Sequence, residues 1–426
     1  MFYFDFPAFF RYNFRAFFKT KGQQHQLSLK RFLFLVLWLP LFIIVELVNR
    51  VFLLLDEVFF PRYRKQTIEK PIFIIGNPRS GTTFLERLMF KDKESFTAFT
   101  VWELVLAPSI TQRKIIWGLG KIGSWIGLPF KTVVQSINKR FRKGKVNKAH
   151  PIRVDAVEED EHIMIHAFSS ETLFNLYPYT DDVLPYFYFD RDIPEKKQRQ
   201  VMAFYKNMLQ RHVYAHGGNR TLLSKNPSYS SRIAALSQEF PDARFIKLVR
   251  NPFEAVPSMI STMSIGLNIF CDPLEQYAFK DEFIELMKYY YFYPVEFFKD
   301  QPDKCTFLRY DDLVSQPDSI IEDLYYWLEI PYSEDFRAKV AEETHAEHFY
   351  KSKHSYPLEE IGLSREKIFN EFEEVFSYYE FDQQDFELPE REMNWQSKKW
   401  SKVWKKQRAR RLQGQSLRTL ENGTPV

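Results

Sequence analysis

The sequence predicts an α/β fold in which helices flank a P-loop-like parallel β-sheet, with a helical lid insertion and membrane-associated helices at the N-terminus. Residues 71–75, PIFII, form a short and continuously apolar stretch, which is typical of a buried parallel strand. A helix is predicted after the next turn, over residues 82–90. Short strand patterns then alternate with helical patterns, and this alternation favours a parallel sheet wound on both faces.

The remaining elements are assigned from hydrophobic periodicity and helix-start signals. Residues 104–220 are mostly helical or irregular in pattern, and we expect them to form the lid insertion. Three segments are expected: a membrane-associated region over residues 1–66, an α/β domain over residues 67–390, and a basic tail over residues 391–426. Further strands are predicted at residues 221–223, 245–249 and 306–308, and further helices at residues 228–240, 252–264, 281–298 and 318–328.

Composition limits the classes of protein that the chain can belong to. The 426 residues, 45% of them hydrophobic, are enough to bury a sizeable core. A formal net charge of only +4 is too small to indicate nucleic-acid binding. Cys271 and Cys305 are the only cysteines, which is too few for a disulfide framework and fits a reducing compartment.

The N-terminal region is strongly apolar but does not have the pattern of a secretory signal. Its uninterrupted apolar run, Phe32 to Val45, is shorter than the roughly 20 residues that a spanning helix needs. Polar residues at 46–50 interrupt it before residues 51–55 resume the apolar pattern. We predict a helix or helical hairpin that lies in the membrane interface. A helix packed on the α/β domain and a single membrane span remain alternatives.

The tail from residue 391 onwards is a basic run that contains Trp395, Trp400 and Trp404. It is either a solvated helix or a segment that attaches to an anionic membrane surface. Together with the N-terminal region, it places the expected location at the cytoplasmic face of a membrane, with peripheral, monotopic or single-span attachment.

Residues 76–83, GNPRSGTT, have the spacing of a phosphate-binding loop but lack its lysine. Gly76, Gly81 and Thr83 match the GxxxxGK[ST] template, and Thr82 stands at the position of the lysine. A strand that turns into a helix in this way presents backbone N–H groups to an anion, and the helix dipole adds favourable potential. Arg79 supplies the missing positive charge.

A second candidate anion site follows the strand predicted at residues 245–249. This strand ends in Arg250, at the position where nucleotide triphosphatases have an acidic residue that helps to hold Mg²⁺. Asn251 and Pro252 then form a good helix start, and Ser258 lies two turns further on. Two anion sites without a metal site suit a ligand that has phosphate groups at two separate positions. The alternative for Arg250 is a surface ion pair with Glu254.

The stretches PRSGTTFL and LSKNPSYSSRIAALSQEFPDARFIKLVRNPFEAVPSMIS closely resemble the sulfotransferases that use 3′-phosphoadenosine 5′-phosphosulfate (PAPS), especially the bacterial sulfotransferase-like and tyrosylprotein types. The resemblance covers roughly residues 70–385. It implies transfer of a sulfuryl group from PAPS to a hydroxyl acceptor without a metal. It also implies that the first loop binds the 5′-phosphosulfate, and that Arg250 and Ser258 bind the 3′-phosphate. The loop residues concerned are Arg79, Ser80, Gly81, Thr82 and Thr83.

The resemblance also suggests catalytic residues. Lys225 corresponds to the family lysine that contacts the sulfuryl group, and Arg79 is its expected partner cation. Cytosolic small-molecule sulfotransferases have a histidine two residues after this lysine, but the chain has Pro227 there, which removes a histidine mechanism. Glu103 lies at nearly the distance from the loop at which the tyrosylprotein type has its base, and we predict it as the base. The alternative is the acidic cluster at residues 158–161, with Glu159 as its favoured member.

The acceptor is predicted only as a class. Phe168, Phe174, Tyr177 and Tyr179, next to a membrane-associated N-terminus, suggest an amphipathic alcohol such as a lipid, glycolipid or sterol, although core packing explains the same aromatics. Two other functions remain open: a P-loop kinase or NTPase, and a catalytically inactive membrane scaffold that binds a nucleotide.

Overall fold

The computed structural model describes residues 2–20, 26–125, 127, 134–136, 138–139, 153–271, 277–347 and 358–381. Its centre is a five-stranded sheet with the order β2-β3-β1-β4-β5, in which all neighbouring strands are parallel. This confirms the predicted parallel sheet, although the short β2 was not predicted. The strands are β1 (Ile72–Gly76), β2 (Phe96–Thr97), β3 (Thr221–Lys225), β4 (Arg244–Val249) and β5 (Cys305–Arg309).

Helices cover both faces of the sheet and form the N-terminal region. The predicted tail, residues 391–426, lies outside the described residues. Short 3-10 helices occupy Pro61–Lys65, Asp160–Ala167, Glu171–Asn175, Leu184–Tyr188, Pro227–Ser231 and Leu358–Ile361. The α-helices are α1 (Phe6–Phe18), α2 (Leu29–Phe59), α3 (Thr82–Met89), α4 (Val101–Val105), α5 (Ile110–Trp125), α6 (Phe189–Asp192), α7 (Glu195–Ala215), α8 (Ile233–Glu239), α9 (Pro252–Phe270), α10 (Lys280–Phe298), α11 (Tyr310–Ser315), α12 (Pro317–Leu328), α13 (Glu334–Glu347) and α14 (Arg365–Tyr379).

The order of the strands creates a crevice at the carboxyl ends of β1 and β4. β1 pairs with β3 on one side and with β4 on the other, with Ile74 opposite Lys225 and Gly76 opposite Leu248. The chain continues from β1 towards β2 and β3, but from β4 towards β5 in the opposite direction. In open parallel sheets, ligands bind where the strand order reverses in this way.

The apolar run of β1 is explained by burial on both faces of the sheet. Phe73 and Ile75 pack into one hydrophobic cluster, and Ile72 and Ile74 pack into a second cluster on the other face. Successive side chains of a strand point to opposite faces, so a central strand that is covered on both sides needs an apolar residue at every position.

The lid aromatics Phe168, Phe174, Tyr177 and Tyr179 are all buried in the core. Phe168, for example, packs against Tyr12 of α1 with ring centroids 5.6 Å apart. Core packing, the alternative that the sequence left open, therefore accounts for these four side chains.

Residues 29–59 form one continuous helix, α2, rather than a hairpin with a polar hinge. A 31-residue helix is about 46 Å long, and within the described residues it is the one that is long and apolar enough to cross a membrane. Four of its polar residues, Arg31, Glu46, Asn49 and Asp56, are buried, and its outer face is apolar and exposed. Outer-face residues include Leu37, Leu41, Ile44, Leu47, Val51, Leu54 and Val58.

Asp56 fixes the end of α2 to the domain. Its buried carboxylate accepts hydrogen bonds from the backbone N–H groups of Ile110 and Thr111 at 2.9 and 2.8 Å, and thereby caps the start of α5. The same carboxylate accepts a hydrogen bond from Nε of buried Arg211 at 3.0 Å. α2 is thus held by charge and hydrogen bonds on the face turned away from its apolar surface.

Replacing Asp56 by alanine is expected to destabilise the protein by about 3 kcal/mol or more, because it leaves the Arg211 charge buried without this partner and removes the cap of α5. The matched control is Glu195→Ala on α7, which breaks an exposed pair with Arg199 and should change stability by less than about 1 kcal/mol. Thermal melting of both variants in detergent measures the effect. Equal melting temperatures for Asp56→Ala and the control would show that Asp56 does not hold α2.

Candidate functional site

The loop between β1 and α3 is closely enclosed by its neighbours. Gly81 has a φ of 91°, in the left-handed region, and a Cβ at this position would lie 2.6 Å from the ring of Tyr310. A Cβ on Gly76 would lie 2.7 Å from the carbonyl oxygen of Leu248 on β4. Both glycines are therefore needed for the geometry of the loop. The loop leads into the N-terminus of α3, whose first N–H groups have no partner within the helix and suit an anion.

The two predicted anion sites meet in the crevice between β1 and β4. Arg79 Nε donates a hydrogen bond to Ser258 Oγ at 3.0 Å, and Arg250 Nη1 donates to the backbone oxygen of Arg79 at 3.0 Å. The ring of Tyr310 lies under the Arg250 guanidinium, 4.1 Å from centroid to Cζ. Arg79 itself has a φ of 69°, an unusual value for a residue with a side chain, which these contacts hold in place.

The ion pair between Arg250 and Glu254, which the sequence left as the alternative for Arg250, is also present. Arg250 Nε donates a hydrogen bond to Glu254 Oε2 at 2.7 Å, one turn along α9. The Glu254 side chain is 54% exposed, so the pair is weak. Asn251 accepts a hydrogen bond from the N–H of Phe253 at 3.0 Å and caps α9, as predicted. The ion pair therefore coexists with the contact of Arg250 to the loop.

Lys225 ends β3 and is buried beside two glutamates. Its Nζ donates a hydrogen bond to Glu159 Oε1 at 2.9 Å and lies 3.9 Å from Glu86 Oε2. Glu86 belongs to α3, one turn after the loop, and is as deeply buried as the lysine. The Glu159 side chain is 27% exposed. Lys225 thus joins the loop helix to the acidic cluster at residues 158–161.

Burial and charge set the protonation states around Lys225. Burial raises the pKa of Glu86 to about 8, although the nearby Lys225 charge acts to lower it, and Glu86 is therefore mostly protonated at neutral pH. Burial alone would lower the pKa of Lys225, but its acidic neighbours, Glu159 first among them, outweigh burial and raise that pKa. Lys225 is therefore protonated at neutral pH.

Other members of the acidic cluster hold the site together. Asp160 accepts hydrogen bonds from Tyr205 and from Ser224 Oγ, the latter at 2.9 Å, and burial raises the pKa of Asp160 to about 6. Glu161 accepts a hydrogen bond from buried Arg232 at 2.9 Å. Both carboxyl groups are buried, so the cluster is more than an exposed start of a helix.

Glu103, the predicted base, belongs to a different network. Its Oε2 accepts hydrogen bonds from Thr100 N at 2.9 Å and Thr100 Oγ1 at 2.7 Å, which forms a capping box at the start of α4. Its Oε1 lies 2.7 Å from His216 Nε2 and 3.7 Å from Arg113 Nε. In the part of the chain that the structure describes, none of its contacts involves Lys225 or Arg79, beside which the base was expected.

The charge of Glu103 is strongly stabilised in this network. Burial by itself would raise the pKa of the carboxyl group, but Arg113, together with His216 and His212, outweighs burial and holds that pKa well below its usual range. A carboxylate with such a low pKa is a weak proton acceptor.

The same network is the one cluster of potential metal ligands in the described ranges. Glu103, His212 and His216 each offer an atom within 4.8 Å of the others. The Arg113 guanidinium lies against this group, with Nη1 3.2 Å from His212 Nδ1. The chain therefore supplies its own positive charge there, which fits an ion-pair network better than a metal site.

Sequence reasoning missed the role of Glu86 and overlooked a signal for Glu103. The tetrapeptide TVWE at residues 100–103 has the pattern of a capping box, which indicates a structural role for its glutamate. Glu86 has no comparable signal, because only the packing of α3 against β3 brings it to Lys225.

The arrangement of charges fits a ligand with two anionic ends. Ser80 Oγ is buried in the loop and has no hydrogen-bond partner among the described residues, so it is available to a ligand oxygen. Arg79, which precedes Ser80 in the loop, contacts both Ser258 and Arg250. These residues suit the phosphosulfate and the 3′-phosphate of PAPS, as the resemblance implies.

Replacing Glu86 by glutamine is expected to change how stability depends on pH. The pKa of Glu86 is raised above its unfolded value of about 4.3, so the folded protein binds more protons between about pH 5 and pH 8. The free energy of unfolding of the wild type therefore falls by up to roughly 1.4 kcal/mol for each unit by which the pH rises across this window. Glutamine does not titrate, so the variant does not show this loss.

Melting temperatures of the wild type and Glu86→Gln, measured from acidic to alkaline pH, test this expectation. The wild type should lose stability relative to the variant as the pH rises to about 8, whereas Glu195→Gln, an exposed glutamate control, should follow the wild type. A difference between wild type and Glu86→Gln that does not depend on pH would contradict the raised pKa.

Known proteins are similar to this chain in sequence and in fold. A curated relative, omega-hydroxy-beta-dihydromenaquinone-9 sulfotransferase Stf3 of Mycobacterium bovis and Mycobacterium tuberculosis, is 25% identical over 301 residues, which is 68% of this chain and 70% of the relative. The crystal structure of sulfotransferase STF9 from Mycobacterium avium superposes with a TM-score of 0.64 at 20% identity, over 82% of this chain and 85% of that one.

A second crystal structure, of sulfotransferase STF1 from Mycobacterium tuberculosis, superposes with a TM-score of 0.59 at 18% identity, over 86% of this chain and 91% of that one. At these identities the structural likeness shows the fold. The sequence profile of the sulfotransferase family matches residues 71–334, which include β1, the loop, Lys225, Arg250 and Ser258. Because this match covers more than half of the sequence, the chain belongs to the sulfotransferase family.

Proposed function

We propose that this chain transfers a sulfuryl group from PAPS to the hydroxyl group of a lipidic acceptor at a membrane surface. The proposal rests mainly on the direct contacts between the two anion sites: Arg79 contacts Ser258, and Arg250 contacts the backbone of the loop at Arg79. Two anion sites in contact with each other suit a nucleotide that has phosphate groups at two positions. Family membership supplies the sulfuryl chemistry.

Donor binding is assigned to the loop and to α9. The N–H groups at the start of α3, with Ser80, Thr82 and Thr83, would hold the phosphosulfate. Arg250 and Ser258 would hold the 3′-phosphate. Arg79 lies between the two groups and neutralises charge on either side.

Lys225 is assigned to the sulfuryl group. In the reaction, a bond forms between the acceptor oxygen and sulfur, and the bond from sulfur to the 5′-phosphate oxygen breaks. The acceptor proton passes to a base, and adenosine 3′,5′-bisphosphate leaves. A buried cation at the end of β3 would stabilise the charge that builds up on the sulfuryl and leaving oxygens.

Glu159 is the base that the contacts favour over Glu103. Its carboxylate is hydrogen-bonded to Lys225, and its side chain is partly exposed and can be reached by an acceptor. Both oxygens of Glu103 are engaged by its cap, a histidine and an arginine. A base must lie within hydrogen-bond reach of the acceptor hydroxyl, and the acceptor must lie beside the sulfuryl group that Lys225 contacts.

A lipidic acceptor is supported by two observations. One is the exposed apolar face of α2, which continues in the exposed phenylalanines of α1: Phe6, Phe10, Phe14 and Phe18. An apolar surface of this extent suits the membrane interface, and we assign it to the cytoplasmic face. The other is that the Stf3 relative is named for a menaquinone-derived, hydroxyl-bearing lipid.

Incubation with radiolabelled PAPS and a total lipid extract tests this function. The proposal expects label in the organic phase. Label that appears only in water-soluble glycans would refute a lipidic acceptor, and a requirement for ATP and Mg²⁺ would favour the alternative phosphoryl transferase. No turnover and no binding of either nucleotide would favour the inactive scaffold.

Substitutions of Lys225 and Arg250 should have opposite effects. Lys225→Ala is expected to lower kcat by about 10²-fold or more, with little change in affinity for adenosine 3′,5′-bisphosphate, because the lysine acts on the sulfuryl group. Arg250→Ala is expected to weaken that affinity by about 10-fold or more, with a smaller effect on kcat. Steady-state kinetics and calorimetry measure both. Equal effects of each substitution on kcat and affinity would contradict these roles.

Glutamine substitutions distinguish the two candidate bases. Glu159→Gln is expected to lower kcat by about 10²–10⁴-fold, because it removes the proton acceptor, and also to lower the melting temperature, because buried Lys225 loses a carboxylate partner. Glu103→Gln is the matched control, and it should lower the melting temperature, because Arg113 loses its charged partner, while kcat falls less than about 10-fold. The reverse pattern would restore Glu103 as the base.

A further inference from the structure

A pocket of about 360 Å³ lies between α2 and residues 162–176 of the lid insertion. This volume is within the range of small-molecule sites, roughly 300–1,000 Å³. Trp38, Phe42 and Val45 of α2 form one wall. Leu173 and Leu176 form part of the opposite wall. Eleven of the sixteen lining residues are apolar, and the polar ones are Glu46, His162, His166, Thr172 and Asn175, so most of the wall suits a hydrocarbon group.

The pocket opens at the apolar surface of the molecule. Leu41 of α2 and Val105 of α4 both line it, and these residues are 61% and 49% exposed. Leu41 belongs to the outer face of α2, which we assign to the membrane interface. An apolar chain can therefore pass from the membrane into the pocket without crossing water.

One short helix of the pocket wall directly follows Glu159, the residue that accepts a hydrogen bond from Lys225. The 3-10 helix Asp160–Ala167 starts directly after Glu159, and its residues His162, Ile165 and His166 line the pocket. His162 Nδ1 lies 2.8 Å from the backbone oxygen of Glu159. The carboxylate hydrogen-bonded to Lys225 and the pocket wall thus belong to the same rigid segment.

We infer that this pocket binds the apolar chain of the acceptor, which enters from the membrane side and presents its hydroxyl group to Lys225 and Glu159. The inference rests on the proposed function, and it names the substrate class as long-chain apolar alcohols, such as isoprenoid alcohols. His162 and His166 of the pocket wall are three and seven residues after Glu159. Because a 3-10 helix rises about 2 Å per residue, these two residues lie about 6 Å and about 14 Å along the helix from Glu159. Only an alcohol with an apolar body of this length can use the pocket.

Two alcohols test this class: farnesol, a long isoprenoid alcohol, and prenol, its single-unit counterpart. The full-length protein in lipid nanodiscs should sulfate farnesol with a kcat/KM at least about 10²-fold above that of prenol, because each buried methylene adds to binding. Comparable kcat/KM values for the two alcohols would overturn the inference.

Tryptophan substitutions on α2 locate the site of chain binding. Val45→Trp fills the pocket and should lower kcat/KM for farnesol by about 10-fold or more, while kcat/KM for prenol and affinity for adenosine 3′,5′-bisphosphate stay unchanged. Ile44→Trp places the same side chain on the exposed face of α2 and should leave all three values unchanged. Equal losses for both alcohols, or equal losses in both variants, would overturn the inference.

Photocrosslinking with a diazirine-bearing farnesol separates failure of the pocket from failure of the proposed function. If neither alcohol is sulfated, the proposed function fails for this acceptor class, and labelling still tests the pocket. Label on residues 165–176 that is lost in Val45→Trp supports the inference. Label only on the outer face of α2, or no specific label, overturns it.

Discussion

The position of β1 between β3 and β4 is the constraint on which the site depends. Parallel pairing places the carboxyl ends of all three strands at one edge of the sheet, where the loop, Lys225 and Arg250 follow. The reversal of strand order between β1 and β4 opens the crevice in which Arg250 contacts the loop. Burial of both sheet faces makes this arrangement rigid, so cations and backbone N–H groups are in place before a ligand binds.

Buried charge at this edge is balanced by protonation as well as by ion pairs. Glu86 holds a proton at neutral pH because it is buried, and Lys225 donates its hydrogen bond to Glu159. A separate network around Glu103 and Arg113 stabilises α4 and α5. Helix α2 turns most of its polar residues towards the domain and its apolar residues outwards. A helix on the surface of a water-soluble protein has the opposite arrangement. Residues 159–176 thus connect the edge that carries Lys225 with α2, the helix of the proposed membrane face.

The sequence predicted the features that depend on local pattern. The parallel sheet, the loop at residues 76–83 and the cap at Asn251 follow from short motifs and strand polarity, whereas the contacts of Arg79 with Ser258 and of Arg250 with the loop are seen only in the structure. Packing decides what short motifs leave open. The polar residues at 46–50 left a helix and a helical hairpin as alternatives, and the structure has one helix, with Glu46 and Asn49 buried. The assignment of Glu103 as the base stays a prediction, although its side chain is held in the capping box at the start of α4, which its distance from the loop does not indicate.

The central claim is that a single edge of the sheet holds both anionic ends of the donor nucleotide without a divalent ion. Calorimetric titration with adenosine 3′,5′-bisphosphate, in EDTA and in Mg²⁺, and with ATP under the same conditions, tests it most directly. The account predicts equal affinity for the bisphosphate in EDTA and in Mg²⁺, and weaker binding of ATP in both. Binding of the bisphosphate that requires Mg²⁺, or a preference for ATP with Mg²⁺, would contradict it.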